Sequence, residues 1–212
     1  MTDWHKQLLA RFTHRDRRRP VFLVVAGGSA SGKGTLARAL ASALEPLTTQ
    51  VVNMDRYFKP SEELPTYHSP RLDRPHGDWN RPDSFHHRGL IADMRRLVLD
   101  GTGSEDVLIL EGILALHFEE LRDLAHLCLF VHTEADERIV RRLRRNMTER
   151  GMSFDEVADY YLESVRDRHL QYVEPTRRLA DLVVPGGSRP RETQEREAMV
   201  AELAGRIKTA LA

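Results

Sequence analysis

Apolar and polar residues alternate along the chain in segments that predict a regular succession of strands and helices. Continuous apolar runs of strand length are typical of strands buried in a parallel sheet. They predict strands at residues 21–26, 50–54, 107–110, 127–131 and 182–184. Apolar residues at helical spacing predict helices at residues 3–19, 35–44, 90–99, 134–150, 154–172 and 193–211. Strands that alternate with helices indicate right-handed βαβ units, so we expect an α/β fold: a parallel sheet with helices on both faces.

One long segment, residues 56–86, follows neither pattern. Five prolines interrupt it: Pro60, Pro65, Pro70, Pro75 and Pro82. An irregular segment of this length in a compact domain is usually functional or mobile. We predict a helical extension at residues 1–19 and a single domain at residues 20–212, with residues 56–86 as its substrate-binding segment.

Composition narrows the class of protein. The chain has 212 residues, of which 41% are hydrophobic and 30% charged, as in globular domains. Its 32 basic and 32 acidic residues give a formal net charge of zero, which disfavours a nucleic-acid-binding protein. Cys128 is the single cysteine, so no internal disulfide can form. No apolar run approaches the ~18 residues of a membrane span. We expect a cytoplasmic protein with no nucleic-acid partner and no membrane partner.

A glycine-rich segment joins the first strand of this domain to its first helix. It consists of Gly27, Gly28, Ser29, Ala30, Ser31, Gly32, Lys33, Gly34 and Thr35. Glycines allow several backbone N–H groups to face one anion, the helix amino end adds its dipole, and Lys33 adds a positive charge. The segment therefore predicts a nucleotide-binding phosphate loop, although a structural turn is the alternative. Gly34 stands where a hydroxyl residue usually reaches magnesium, and Thr35 follows it.

Two acidic residues follow predicted strands. Asp55 comes after residues 50–54, and Glu111 comes after residues 107–110. In a doubly wound sheet the chemistry lies beyond the carboxyl ends of the strands, so both acids should point at the phosphate loop. Asp55 could accept a proton from a substrate hydroxyl or hold Mg²⁺, and Glu111 and Thr35 are further magnesium candidates. The alternatives are a turn aspartate and a solvated strand-end glutamate.

The helix at residues 134–150 is rich in arginine. It carries Arg138, Arg141, Arg142, Arg144, Arg145 and Arg150. Arg138, Arg142 and Arg145 share one face by their spacing. We interpret residues 134–152 as a small helical lid that closes over ATP and brings arginines to the transferring phosphoryl group. A solvated charged helix is the alternative.

Taken together, six motifs resemble the uridine kinase and phosphoribulokinase family of P-loop kinases. They lie at residues 27–35, 53–58, 79–85, 111–114, 130–150, and 173–176 with 180–185. The resemblance implies an ATP- and Mg²⁺-dependent kinase that acts on a small-molecule hydroxyl. It implies that Lys33 and the loop bind phosphates, that Asp55 is the general base beside the metal, and that Glu111 helps to hold the metal. By the same resemblance, Arg142 and Arg145 are catalytic lid arginines and Arg150 reaches phosphate or substrate.

The chain also departs from the family at the acceptor. Uridine kinases carry a pyrimidine-clamping hairpin before the Glu-Gly-Ile-Leu strand, whereas here only residues 101–106 fill that position. The family's ribose-binding aspartate falls at Asn80, and a family glutamine falls at Tyr160. We therefore expect a rebuilt acceptor pocket. The candidate contacts lie in residues 56–86: Tyr57, Tyr67, His68, His76, Asp78, Trp79 and Asn80.

The leading hypothesis is a uridine kinase-like enzyme that phosphorylates a nucleoside. Residues 53–59 also resemble nicotinamide riboside kinases, so another small acceptor, such as nicotinamide riboside or a sugar phosphate, is the alternative. A nucleotide-dependent switch protein and an arginine-based nucleic-acid binder are further hypotheses. The sequence leaves the oligomeric state open, and a homo-oligomer is compatible with the family.

Overall fold

The computed structural model describes residues 19–100 and 104–212, so the helix predicted at residues 3–19 lies outside it up to residue 18. The described residues form seven strands: β1 (Val21–Gly27), β2 (Thr49–Asn53), β3 (Thr66–Ser69), β4 (Arg74–Gly77), β5 (Val107–Glu111), β6 (Leu127–His132) and β7 (Leu182–Pro185). Five of them make one parallel sheet in the order β2-β5-β1-β6-β7. The predicted parallel α/β sheet is confirmed.

Seven helices accompany the strands in the described residues. They are α1 (Lys33–Ala43), α2 (His87–Leu99), α3 (Glu119–Leu124), α4 (Ala135–Arg150), α5 (Phe154–Tyr160), α6 (Arg166–Arg168) and α7 (Pro190–Leu211). Two π-helical turns, Tyr161–Val165 and His169–Val173, alternate with α5 and α6. Residues 154–172, predicted as one helix, are therefore a run in which the backbone hydrogen-bond pattern changes repeatedly.

The alternating side chains of β1 divide the hydrophobic core into two layers. Val21, Leu23 and Val25 pack with α1 and α7 on one face of the sheet. Phe22, Val24 and Ala26 pack with α2 and α3 on the other. Both layers are apolar because each face of a parallel sheet is covered by helices, and this explains the continuous apolar runs. Among the described helices, none has both the length and the apolar character needed to cross a membrane.

The segment predicted to be irregular contains a small β-hairpin. Strands β3 and β4 pair antiparallel, with Tyr67 opposite His76 and His68 opposite Pro75. The prolines and polar residues obscure the strand pattern, and Pro75 is tolerated because a two-stranded ribbon has free edges. Helix α3 was also missed, since six residues are too few for a periodic signal. No strand lies among the described residues between Leu99 and Val107, as expected.

The central strand should dominate stability. Leu23 has no exposed surface, so we expect Leu23→Ala to lower the free energy of unfolding by about 2–5 kcal/mol through the lost burial and the cavity left behind. Leu99→Ala is the matched control, because Leu99 is 40% exposed and its truncation should cost less than ~1 kcal/mol. Urea unfolding of both variants measures the difference, and equal losses would contradict the assignment of β1 to the core.

Candidate functional site

A cavity of about 840 Å³ lies at the carboxyl end of the parallel sheet. The phosphate loop, residues 27–35, forms one side of it. Gly27 (φ 146°) and Gly32 (φ 98°) adopt backbone conformations that other residues rarely reach, and these allow β1 to turn directly into α1. The amino end of α1 therefore meets the cavity, where its first-turn N–H groups have no acceptor within the helix. This geometry suits a phosphate group.

Lys33, the first residue of α1, is buried at the base of the loop. Its side chain is 8% exposed, and its Nζ donates to the Gly28 carbonyl at 3.0 Å. Burial lowers the pKa of Lys33 to about 8, and the nearby carboxylates of Glu111 and Asp55 oppose that shift. The loop thus holds a cation that the protein solvates poorly, in the position where an anion would stabilise it.

The two predicted acids are brought together as expected. Asn53 pairs with Glu111 across β2 and β5, and Asp55 follows in a short 3₁₀ turn. The Asp55 backbone N–H donates to the Asn53 side chain at 2.7 Å, which fixes the turn. Burial raises the pKa of Glu111, and the negative charge of Asp55 raises it further. Two carboxylates that line one cavity beside Lys33 are suited to sharing a cation.

Helix α4 contributes several arginines to the lining of the cavity, next to the phosphate loop. Arg142 is buried, and its Nη1 donates to the Ser29 hydroxyl of the phosphate loop at 2.9 Å. Arg141 donates to the Gly186 carbonyl at 2.9 Å. Burial lowers the pKa of Arg142 to about 10 and also lowers the pKa of Arg145. The helix is therefore docked on the loop, and the alternative of a fully solvated charged helix does not fit.

Most of the predicted site residues line this one cavity. Those that do are Ser29, Ala30, Gly32, Lys33, Gly34, Thr35, Asp55, Trp79, Asn80, Glu111, Arg142, Arg145 and Arg150. Gly27, Gly28 and Ser31 belong to the loop but lie behind its surface. The sequence therefore identified residues that the fold brings together from five separate segments.

Two predicted acceptor contacts lie elsewhere. The Tyr57 hydroxyl donates to Asp93 at 2.9 Å, away from the cavity, and burial raises its pKa to about 12. Asp78 has no exposed surface, and its carboxylate accepts from Ser164 at 3.0 Å and Arg168 at 2.8 Å. Both side chains are occupied by structural contacts, so the geometry does not support their predicted contact with an acceptor. Tyr67, His68 and His76 on the hairpin also lie outside the cavity lining.

Several cavity residues were not singled out from the sequence. They are Arg38, Phe58, Ile113, Glu149, Gly186 and Arg196. Phe58 lies at 5.1 Å from Trp79 in an edge-to-face ring contact, so the two aromatic rings form one wall. Arg196 donates to the carbonyls of Pro185 and Gly187 at 3.1 and 3.0 Å. It reaches the site from α7, and no signal in its own segment indicates this because the contact exists only in the folded chain.

The residues available for a metal ion suit magnesium. Asp55, Glu111 and Thr35 line the same cavity and offer oxygen atoms. An ideal Cβ on Gly34 would lie 3.6 Å from Glu111 Oε1, so this glycine leaves the carboxylate open on that side. Within the described residues, no group of three or more His, Cys, Asp or Glu side chains is placed to hold a metal. Magnesium in phosphoryl-transfer sites needs only one or two carboxylates, since phosphates and water supply the other ligands.

Comparisons with known proteins identify the family of the chain. Residues 82–191 match the Phosphoribulokinase / Uridine kinase family. A uridine kinase of Oceanobacillus iheyensis is 35% identical, with 81% of this chain and 89% of the relative covered. A uridine kinase of Bacillus licheniformis is 36% identical, with 82% and 90% covered. Among solved structures, a candidate fructose transport system kinase from Silicibacter sp. superposes with a TM-score of 0.60 at 20% identity. The match covers 86% of this chain and 98% of that structure, and at this identity it shows the fold alone.

The buried lysine should make stability depend on pH. Between pH 8 and pH 10 the unfolded chain keeps the Lys33 proton while the folded chain, with a pKa of about 8, loses it. The unfolded state then binds more protons, so the Lys33 contribution to the free energy of unfolding should rise with pH, approaching ~1.4 kcal/mol per pH unit.

Urea unfolding at pH 8, 9 and 10 measures this dependence as the difference between the wild type and Lys33→Met. Lys208→Met, which changes a lysine at the end of α7, is the matched control and should keep the wild-type slope. A Lys33→Met variant with the wild-type slope would show that Lys33 is not the group responsible.

Proposed function

The chain belongs to the phosphoribulokinase and uridine kinase family and is an ATP-dependent phosphotransferase that acts on a hydroxyl group, and we propose that its acceptor is a nucleoside. One observation carries the proposal. The phosphate loop, the carboxylates of Asp55 and Glu111, and an aromatic wall of Phe58 and Trp79 face the same cavity. Phosphate-binding groups and aromatic rings in one cavity suit a phosphoryl donor and a ring-bearing acceptor.

We assign the donor phosphates to the loop side. The amino end of α1 and the Lys33 ammonium group attract the negative charge of the phosphates, and Lys33 can turn from the Gly28 carbonyl toward them. Arg142 and Arg145 line the same cavity beside the loop and would offset the charge that builds on the transferring group. Because protein contacts already hold Arg142, little reorganisation accompanies the reaction at that position.

We assign general-base catalysis to Asp55. Its carboxylate takes the proton of the acceptor hydroxyl while the hydroxyl oxygen bonds to the γ-phosphorus atom. The bond from that phosphorus atom to the bridging oxygen breaks, and its electron pair leaves with ADP. Asp55 fits this role because its 3₁₀ turn directs it into the cavity between the loop and Trp79.

Asp55, Glu111 and Thr35 are the residues that would hold Mg²⁺. When bound, the ion neutralises charge on the donor phosphates. The residues themselves position oxygen atoms beside Lys33, and burial, with a smaller contribution from the charge of Asp55, raises the pKa of Glu111, so a bound cation would favour its ionised form.

We place the acceptor between Trp79, Asn80 and Arg150. The Trp79 ring offers a face for a nucleobase, and Asn80 offers an amide to a sugar hydroxyl. Residues 134–152 would act as a lid that keeps water from the donor, because the arginine-bearing face of α4 closes one side of the cavity.

Acceptor-dependent ATP consumption is the decisive measurement. We expect purified protein with Mg²⁺ to form ADP when uridine or cytidine is added, and mass spectrometry should find the nucleoside monophosphate. Nicotinamide riboside, pantothenate and sugar phosphates complete the panel. Turnover of one of these alone would replace the nucleoside as acceptor. Bound ATP with no acceptor-dependent turnover would favour a nucleotide-dependent switch.

The base assignment predicts a separate outcome for Asp55→Asn. The amide cannot accept the proton, so kcat should fall about 10²–10⁴-fold while equilibrium binding of ATP stays near the wild-type level. Asp123→Asn is the matched control, since Asp123 is exposed on α3 and outside the cavity. Undiminished turnover of Asp55→Asn would exclude Asp55 as the base.

A further inference from the structure

Tyr160, the last residue of α5, lies directly behind the acceptor side of the cavity. Its hydroxyl accepts hydrogen bonds from the Trp79 backbone N–H at 3.0 Å and from the Asn80 side-chain amide at 2.9 Å. Its ring lies under the Arg142 guanidinium, with 5.7 Å from Cζ to the ring centroid. One side chain therefore contacts three residues that line the cavity, while it is not itself part of the lining.

The β3–β4 hairpin holds this ring in place from the other side. Tyr67 stacks on Tyr160 with centroids 6.3 Å apart, and His76 meets its edge at 5.5 Å. Glu163, one turn further along, accepts from the Tyr67 hydroxyl at 3.1 Å and from Ser69 at 2.7 Å. The aromatic residues of the hairpin thus contact Tyr160 and do not line the cavity themselves.

The contacts of Tyr160 join the two halves of the site. Trp79 and Asn80 belong to the acceptor side, whereas Arg142 donates to Ser29 of the phosphate loop at 2.9 Å. Burial raises the pKa of Tyr160 to about 12, so the hydroxyl stays protonated and uncharged at neutral pH. A neutral phenol can accept from both amides without adding charge beside the phosphates.

We propose that Tyr160 is a positioning residue that holds Trp79 and Asn80 against the acceptor and sets their distance from Arg142. The proposal rests on the kinase function proposed above. In this proposal Tyr160 touches neither substrate. It influences acceptor selectivity through its hydrogen bonds to Trp79 and Asn80 and through the contact of its ring with Arg142.

Steady-state kinetics of Tyr160→Phe test the hydrogen-bonding part. The phenylalanine ring keeps its place under Arg142, but both amides lose their acceptor. We expect KM for the acceptor to rise about 10-fold, while kcat and KM for ATP stay within about twofold. Tyr172→Phe is the matched control, because the Tyr172 ring contacts His117 at 5.6 Å and lies outside the cavity lining. An unchanged acceptor KM in Tyr160→Phe would overturn the proposal.

Tyr160→Leu separates the ring contact from the hydrogen bonds. This variant also removes the surface beneath Arg142, so kcat should fall at least another 10-fold relative to Tyr160→Phe. Equal kcat values in the two variants would overturn the assigned link to Arg142. If Tyr160→Leu does not fold, Tyr160→Phe alone decides the acceptor link.

A readout that needs no acceptor separates this proposal from the proposed function. The chain has two tryptophans, so Trp4→Phe leaves Trp79 as the single tryptophan, whose emission can be excited selectively over that of the tyrosines. Acrylamide should quench Trp79 at least twofold more efficiently in Tyr160→Phe than in the Trp4→Phe parent, because the Trp79 backbone has lost its anchor. Unchanged quenching overturns the positioning role even if no acceptor is found. A wild-type protein without acceptor-dependent turnover would refute only the proposed nucleoside kinase function, and the quenching result would still decide the positioning role of Tyr160.

Discussion

Burial of a single cation, Lys33, next to two carboxylates is the constraint on which the rest of the site depends. A lysine that is 8% exposed loses most of its hydration, and its pKa of about 8 measures that cost. The charges of Glu111 and Asp55 offset part of the cost. They can do so only because β5 lies between β1 and β2, with Val25 and Asn53 both paired with Glu111. The strand order therefore places the two carboxylates where they stabilise the positive charge of Lys33.

The arginines of α4 place several positive charges on one face of a helix, and these charges repel one another. Backbone carbonyls and a hydroxyl of the phosphate loop accept hydrogen bonds from them, in addition to carboxylates. Arg138 donates to the Thr133 carbonyl at 3.1 Å, Arg141 to the Gly186 carbonyl, and Arg142 to the Ser29 hydroxyl. These neutral partners fix the guanidinium groups without cancelling their charge. In the proposed function Arg142 thus keeps its charge available to phosphates while its position is set in advance, whereas Arg138 lies outside the cavity lining and Arg141 also pairs with Glu137.

The sequence was sufficient for the features that depend on local pattern. Apolar runs located the five sheet strands, and strand ends located Asp55 and Glu111, because position along a parallel strand determines which edge of the sheet a residue reaches. The sequence was insufficient for residues whose roles depend on contacts with residues far away along the chain. Asp78 looks like a ligand-binding acid, yet its partners Ser164 and Arg168 lie 86 and 90 positions away along the chain. The hairpin was missed for a related reason, since its stability comes from contacts with Glu163 and Tyr160.

Different contacts hold the phosphate loop and the acceptor side of the cavity, so substitutions should affect the two sides differently. The phosphate loop is confined by the sheet, by α1 and by α4, so we expect substitutions there to disturb the proposed phosphate binding directly. The acceptor side is held instead by residues 160–168, through Tyr160, Glu163 and the Asp78–Arg168 pair. The Tyr160 hydroxyl bonds to the acceptor side, whereas its ring also contacts Arg142, which bonds to Ser29 of the loop. We therefore expect exchange of the hydrogen-bonding groups behind the pocket to change the acceptor with little effect on phosphoryl transfer, and loss of the ring to affect both.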